Sequence, residues 1–154
     1  MKIKPMHLLV LNRDSIKTYA TPKKHALIQI YCHDDYPEPL NDLDTRIDTL
    51  KVSFDDWNAE QKLEIERDFQ HSAQAKKFIY FSEEHAKQII DFIKKYIDNI
   101  ELIIVQCDAG ISRSAGVAAA LSKCLNGDDE YFFKRYLPNS LVYSTIMKEW
   151  NKNE

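Results

Sequence analysis

Cys107 and Arg113 bracket a short run, Cys107-Asp108-Ala109-Gly110-Ile111-Ser112-Arg113, with Ser114 directly after it. Two of the chain's three glycines, Gly110 and Gly116, fall in or beside this run. Glycine serves where a backbone turns sharply or comes close to a ligand. The apolar residues Leu102 to Val105 precede the run and the small residues Gly116 to Leu121 follow it. That order predicts strand, tight loop, helix. A loop that opens a helix gathers unpaired backbone N–H groups in front of a helix dipole, which makes an anion site of residues Asp108, Ala109, Gly110, Ile111, Ser112 and Arg113. A cation in the first turn of a helix opposes the dipole, so Arg113 makes sense there with an anion between, held by the guanidinium fork. The same field favours the thiolate of Cys107, the nucleophilic form, and the Ser114 hydroxyl is placed to donate to that sulfur. The run is suited to hold a tetrahedral dianion above a thiolate. The plain alternative is an inert buried cysteine at a strand end with a surface arginine. Bare Cys-x5-Arg spacing is a weak signal, but Gly110, Ser114 and the strand and helix on either side speak against that alternative.

The pattern Cys107-x-x-Gly110-x-x-Arg113-Ser114 resembles the signature loop of the cysteine-dependent protein tyrosine phosphatases, most closely the small dual-specificity branch. The resemblance implies Cys107 as nucleophile forming a phosphocysteine, Arg113 as ligand of the phosphoryl oxygens, and Ser114 as the group that helps the thiolate leave. Gln106 stands where the family usually has a histidine; it can hydrogen-bond the loop but carries no charge, which bears on the rate. The family also carries an aspartate at the end of a strand well before the signature loop. Val52-Ser53-Phe54-Asp55-Asp56-Trp57 fits that place, with Asp55 preferred as general acid and Asp56 as the alternative. A carboxyl beside an apolar ring is helped to stay protonated and deliver a proton to a leaving oxygen. The bland reading is a turn or helix cap. Leu137-Pro138-Asn139 before an apolar helix resembles the closing segment of the same branch, so the resemblance spans roughly residues 45–150.

These residues need elements to hold them. Residues 6–11 and His25 to Tyr31 read as strands, as do Asp48 to Phe54 and 101–106. Arg13 to Ala20 reads as a short helix ended by Thr21-Pro22. Residues 82–97 show the clearest amphipathic helix, capped by Ser82, with Ala86, Ile89, Ile90, Ile93, Tyr96 and Ile97 in one stripe. A helix over 113–126 stops at Asn126-Gly127, and helices follow over Asp128 to Leu137 and Leu141 to Asn151. Residues 58–77, with few apolar anchors (Leu63, Ile65, Phe69, Ala73), read as a solvated helix or a lid beside the acid loop. Cys124 reads as a small core residue. Cys32-His33-Asp34-Asp35 invites a metal reading, but four adjacent residues rarely give a ligand polyhedron. An acidic loop at a strand's end, bordering the active site, is the better expectation. The expected fold is α/β, one domain over residues 1–154: a central, mostly parallel sheet of four or five strands with helices on both faces.

At 154 residues the chain can bury a real core, and 44% hydrophobic with 29% charged residues is ordinary for a globular protein. A net charge of −3 argues against nucleic acid and against a polybasic membrane surface. No apolar run reaches a membrane span, Met1 to Pro5 lacks the features of a signal peptide, and three cysteines suggest free thiols in a reducing compartment, the cytoplasm. The expected activity is hydrolysis of a phosphate monoester on a phosphorylated protein or peptide, with no metal and no cofactor. Phosphotyrosine, with phosphoserine or phosphothreonine also in range, fits better than an inositol phosphate, because the loop carries Asp108 and no lysine. The rivals are a phosphoresidue-binding module or pseudophosphatase, and sulfur or arsenate transfer on a similar loop. The sequence leaves the oligomeric state open.

Overall fold

The computed structural model describes residues 5–68 and 79–152. The readings placed on Met1 to Lys4 and on Phe69 and Ala73 lie outside them. Four strands are described: β1 (His7–Leu11), β2 (His25–Tyr31), β3 (Arg46–Ser53) and β4 (Leu102–Gln106). They form one sheet in the order β1-β4-β2-β3, and every neighbouring pair is parallel. The helices are α1 (Ala59–Asp68), α2 (Glu83–Tyr96), α3 (Arg113–Asn126), α4 (Glu130–Arg135) and α5 (Ser140–Asn151). Among the described residues no helix is long and apolar enough to cross a membrane.

The central strands β4 and β2 are buried almost throughout, and their side chains alternate between faces as the pleat requires. Ala26, Ile28, Ile30, Ile103 and Val105 face one way and pack with Ile89, Ile93, Val117, Leu121, Val142 and Ile146 from α2, α3 and α5. Leu27, Leu102 and Ile104 face the other way and meet Ile16, Tyr19 and Leu40. That second face is closed by a three-residue 3-10 helix, Ser15–Lys17, where the sequence predicts a longer helix from Arg13 to Ala20. The first residues of that stretch are taken by other partners. The Arg13 N–H is bound to the carbonyl of Asp108 and Asn12 Oδ1 caps the N–H of Ser15, and the turn closes with the Thr18 N–H on the carbonyl of Ser15.

Helix α3 fits its expected bounds, and all of Arg113 to Ser122 is buried. Alanines and Gly116 let it lie close to α5. A Cβ at Gly116 would stand 3.0 Å from the Asn139 carbonyl oxygen and 3.1 Å from Val142 Cβ. Gly127 ends the helix in the left-handed region, at φ 80°. Helix α1 is opened by a reciprocal pair: Asn58 Oδ1 accepts from the Gln61 N–H at 2.8 Å, and Gln61 Oε1 from the Asn58 N–H at 3.0 Å. Its single buried residue is Ile65, in keeping with a solvated helix.

Helix α2 is opened by a similar pair. Ser82 Oγ accepts from the His85 N–H, and His85 Nδ1 accepts from the Ser82 N–H at 2.9 Å. An accepting Nδ1 carries no proton. Burial against Phe81 and Phe54 lowers the His85 pKa below its ordinary value of 6.5, outweighing the backbone of Ser53 and the charge of Glu84. Burial likewise lowers that of His25. A histidine whose folded pKa lies below its unfolded value contributes stability that is present above about pH 6.5 and lost as the pH falls through the folded pKa. His33, whose pKa is raised, works in the opposite sense. His85 and His25 thus favour a urea midpoint that drops between pH 7 and pH 5. His85→Gln keeps a capping side chain that does not titrate, and the drop should be smaller in it. An equal drop in both proteins would remove His85 as the source.

Candidate active site

A parallel sheet sends the carboxyl ends of all its strands to one edge, and a crevice forms outside them. Here that edge collects Asn12 and Arg13 after β1, Cys32 to Asp35 after β2, Phe54 to Asp56 after β3, and the loop from Cys107 after β4. The loop returns into α3 at Arg113. Gly110 sits at φ 67°, and a Cβ there would stand 2.9 Å from the backbone nitrogen of Asn12, so the position needs glycine both for its dihedral and for the approach of β1's end.

The Cys107 sulfur is buried at the floor of this loop. It accepts the Gly110 N–H at 3.3 Å and lies 3.0 Å from Ser114 Oγ. Gln106 Nε2 donates to the Cys107 carbonyl at 3.1 Å, so the neutral side chain does bond the loop. Arg113 is buried, and its guanidinium is held by three partners. Nη1 donates to the carbonyl of Phe54 at 3.0 Å and to Cys32 Sγ at 3.3 Å, and Nη2 to Asp108 Oδ2 at 3.2 Å. Burial opposes its charge, but Cys32, Cys107 and Asp108 outweigh that and hold its pKa above the ordinary value. Burial also raises the pKa of the Cys32 thiol, against the pull of Arg113.

The two acid-loop carboxylates face different ways. Asp55 accepts three hydrogen bonds: His33 Nδ1 to Oδ2 at 2.7 Å, the Ile79 N–H to Oδ2 at 3.1 Å, and the His33 N–H to Oδ1 at 3.2 Å. Burial pushes its pKa up, but the bonds from His33 and Ile79 outweigh burial and leave the carboxyl below its ordinary value. Asp56 is exposed and faces the loop. Its Oδ1 accepts from Ser112 Oγ at 2.8 Å and from Asn139 Nδ2 at 2.9 Å. Asn139 is thereby bound twice, since its Oδ1 also caps α5 through the N–H groups of Leu141 and Val142.

The run Cys32 to Asp35 borders this crevice and divides among separate partners. Cys32 meets Arg113, His33 meets Asp55, and Asp35 Oδ2 takes Arg13 Nη1 at 2.7 Å. Among the described residues no group of histidine, cysteine and carboxylate side chains is arranged to hold a metal ion. Sequence reasoning missed Arg13, which binds Asp35, Glu38 at 2.8 Å and Asp108 at 3.3 Å, and so ties two loops together. It also missed the His33–Asp55 pair and the Asn139 bridge. The available signal was position alone, since each follows a strand's carboxyl end or, for Asn139, opens a helix. Cys124 lies on α3, half-buried, with Sγ 3.6 Å from Met147 Sδ.

No family model and no curated protein matches this sequence. Solved structures do. The human tyrosine phosphatase-like serine/threonine/tyrosine-interacting protein is similar over 95% of this chain and 92% of its own, at 14% identity and a TM-score of 0.61. Tk-PTP, in its active form, is similar over 96% of this chain and 91% of its own, at 14% identity and a TM-score of 0.55. Likeness at this identity is likeness of fold, and it extends over nearly the whole of each chain. The all-parallel sheet with its cysteine loop at the carboxyl edge is therefore the protein tyrosine phosphatase-like fold.

Proposed function

We propose that the chain is a cysteine-dependent phosphatase that hydrolyses phosphate monoesters, with phosphotyrosine in a protein or peptide as its main substrate and phosphoserine or phosphothreonine within reach. The observation that carries this reading is the meeting of four groups in one loop. The Cys107 sulfur accepts the Gly110 N–H, stands 3.0 Å from Ser114 Oγ, and shares the loop with the buried guanidinium of Arg113. Cys107 attacks phosphorus in line and the ester oxygen departs with a proton. The N–H groups of residues 108–113 and the Arg113 guanidinium hold the equatorial oxygens as charge builds on them. Water then cleaves the phosphocysteine, and the Ser114 hydroxyl stabilises the departing thiolate. The loop and the guanidinium supply the charge stabilisation that a metal ion provides in other phosphatases. Three free thiols support a cytoplasmic setting.

Between the two carboxylates, hydrogen bonding favours Asp56 as proton donor over Asp55, the residue preferred from sequence. Asp55 accepts three donors that stabilise its ionised form, so it is poorly suited to carry a proton. Both bonds to Asp56 fall on Oδ1, which leaves Oδ2 to hold one at the rim of the loop. Asp55 instead orients His33.

Turnover of p-nitrophenyl phosphate in EDTA by the native protein, with none in Cys107→Ser, would establish a metal-independent cysteine phosphatase. Absence of turnover in the native protein across pH 5–8 would leave a phosphoresidue-binding module. Arg113→Lys should lose about 10²–10³ in kcat, because the ammonium cannot reproduce the fork.

Asp56→Asn should lose about 10²–10⁴ in kcat on a phosphotyrosyl peptide, whose leaving group needs a proton, and much less on p-nitrophenyl phosphate. A larger loss in Asp55→Asn with the same leaving-group dependence would return the role to Asp55.

Asp55 raises the pKa of His33 through their hydrogen bond. Removing its charge in Asp55→Asn should move the His33 titration, followed by NMR, to lower pH. An unmoved midpoint would mean that the pair does not persist in solution.

A further inference from the structure

Beside the loop lies a groove with a volume of about 540 Å³, within the usual range for a ligand pocket. Its near wall is Ile111 and Ser112 of the loop itself. Its far wall is Phe133, Tyr136 and Leu137, and Asp56 lies at its edge. Seven large hydrophobic side chains are exposed among the described residues, and three of them line this groove: Ile111 (46%), Phe133 (48%) and Leu137 (75%). A fourth, Tyr131, packs edge-on toward Tyr136. Scattered exposed apolar residues need no explanation, but a cluster against a candidate catalytic loop does. The walls are joined by backbone bonds. The Leu137 N–H donates to the Ile111 carbonyl at 3.1 Å, and the Asn139 N–H to that of Ser112 at 3.0 Å. The groove is therefore formed before anything enters it, which spares the ordering cost of binding.

We propose that this groove seats a bulky apolar side chain next to the phosphoresidue of a phosphopeptide substrate. The proposal rests on the phosphatase reading above and adds a sequence preference to it. Two features support a peptide as occupant. The groove begins one residue from Arg113, so a side chain flanking a phosphate held in the loop is within reach of it. Its lining holds no lysine or arginine and one carboxylate, Asp56, which suits an uncharged side chain and repels a second phosphate. A multiply phosphorylated inositol headgroup would find no cation there.

The test compares two phosphotyrosyl peptides of equal length and charge, one with leucine and one with serine on both sides of the phosphotyrosine. The native protein should prefer the leucine peptide about tenfold in kcat/KM, the scale expected for partly burying one aliphatic side chain. In Leu137→Asp the ratio between the two peptides should fall to near one. Because each protein is judged by its own ratio, a general loss of fold or activity does not mimic this result. Equal rates in the native protein, or a preference that survives Leu137→Asp, would overturn the proposal. If the native protein hydrolyses neither peptide, the phosphatase reading fails while the groove is still read from binding. Calorimetric titration of Cys107→Ser with the two peptides should then show the same tenfold difference in Kd, and an equal Kd or no binding would overturn it. Preferential hydrolysis of a phosphoinositide in phosphatidylcholine vesicles over both peptides would assign the surface to a lipid headgroup and overturn it as well.

Discussion

A charged guanidinium held almost out of water at the first turn of a helix is the constraint on which the rest of this structure depends. Burying such a charge carries a penalty of several kcal/mol unless good partners surround it. Arg113 finds its partners on three separate segments: the carbonyl of Phe54 after β3, the sulfur of Cys32 after β2, and the carboxylate of Asp108 in its own loop. Those segments meet because β4 lies beside β2, which in turn lies beside β3, all parallel. Reversing β2 or β3 would carry its partner to the opposite edge and leave the buried guanidinium one acceptor short. The close approach of α3 to α5, through Gly116, serves the same end. It brings Asn139 to the loop, and with it Asp56.

Legibility in the sequence followed the range of the interactions. The loop from Cys107 to Ser114, helix α3 with its stop at Gly127, strand β2 and the cap of α2 at Ser82 are set by residues a few positions apart, and pattern and spacing reveal them. Asp55 and Asp56 are adjacent and chemically alike, so the local resemblance that prefers Asp55 carries no information about what each carboxylate meets. What separates them is that Asp55 meets His33 and Ile79, while Asp56 meets Ser112 and Asn139, contacts that cross 22 to 83 positions of chain. Arg13 was hidden for the same reason. It looked like the start of a helix, yet its backbone and side chain are taken by Asp108, Asp35 and Glu38.

The charges of the site are arranged so that each cation already has an anion. Arg113 and Arg13 share Asp108, Arg13 also holds Asp35 and Glu38, and His33 holds Asp55. Gln106, where the resembling family has a histidine, adds a hydrogen bond to the Cys107 carbonyl and no charge. If the site takes phosphate as proposed, the incoming group competes with the Asp108 carboxylate for Arg113. A phosphate dianion has the advantage of twice the charge and of the N–H groups around Cys107, which a carboxylate on the loop's own backbone cannot reach in the same way. A monoanion has the same N–H groups but half the charge. On the proposed reading, the pairing that makes this site acceptable to bury also narrows what can displace it, toward a dianionic group.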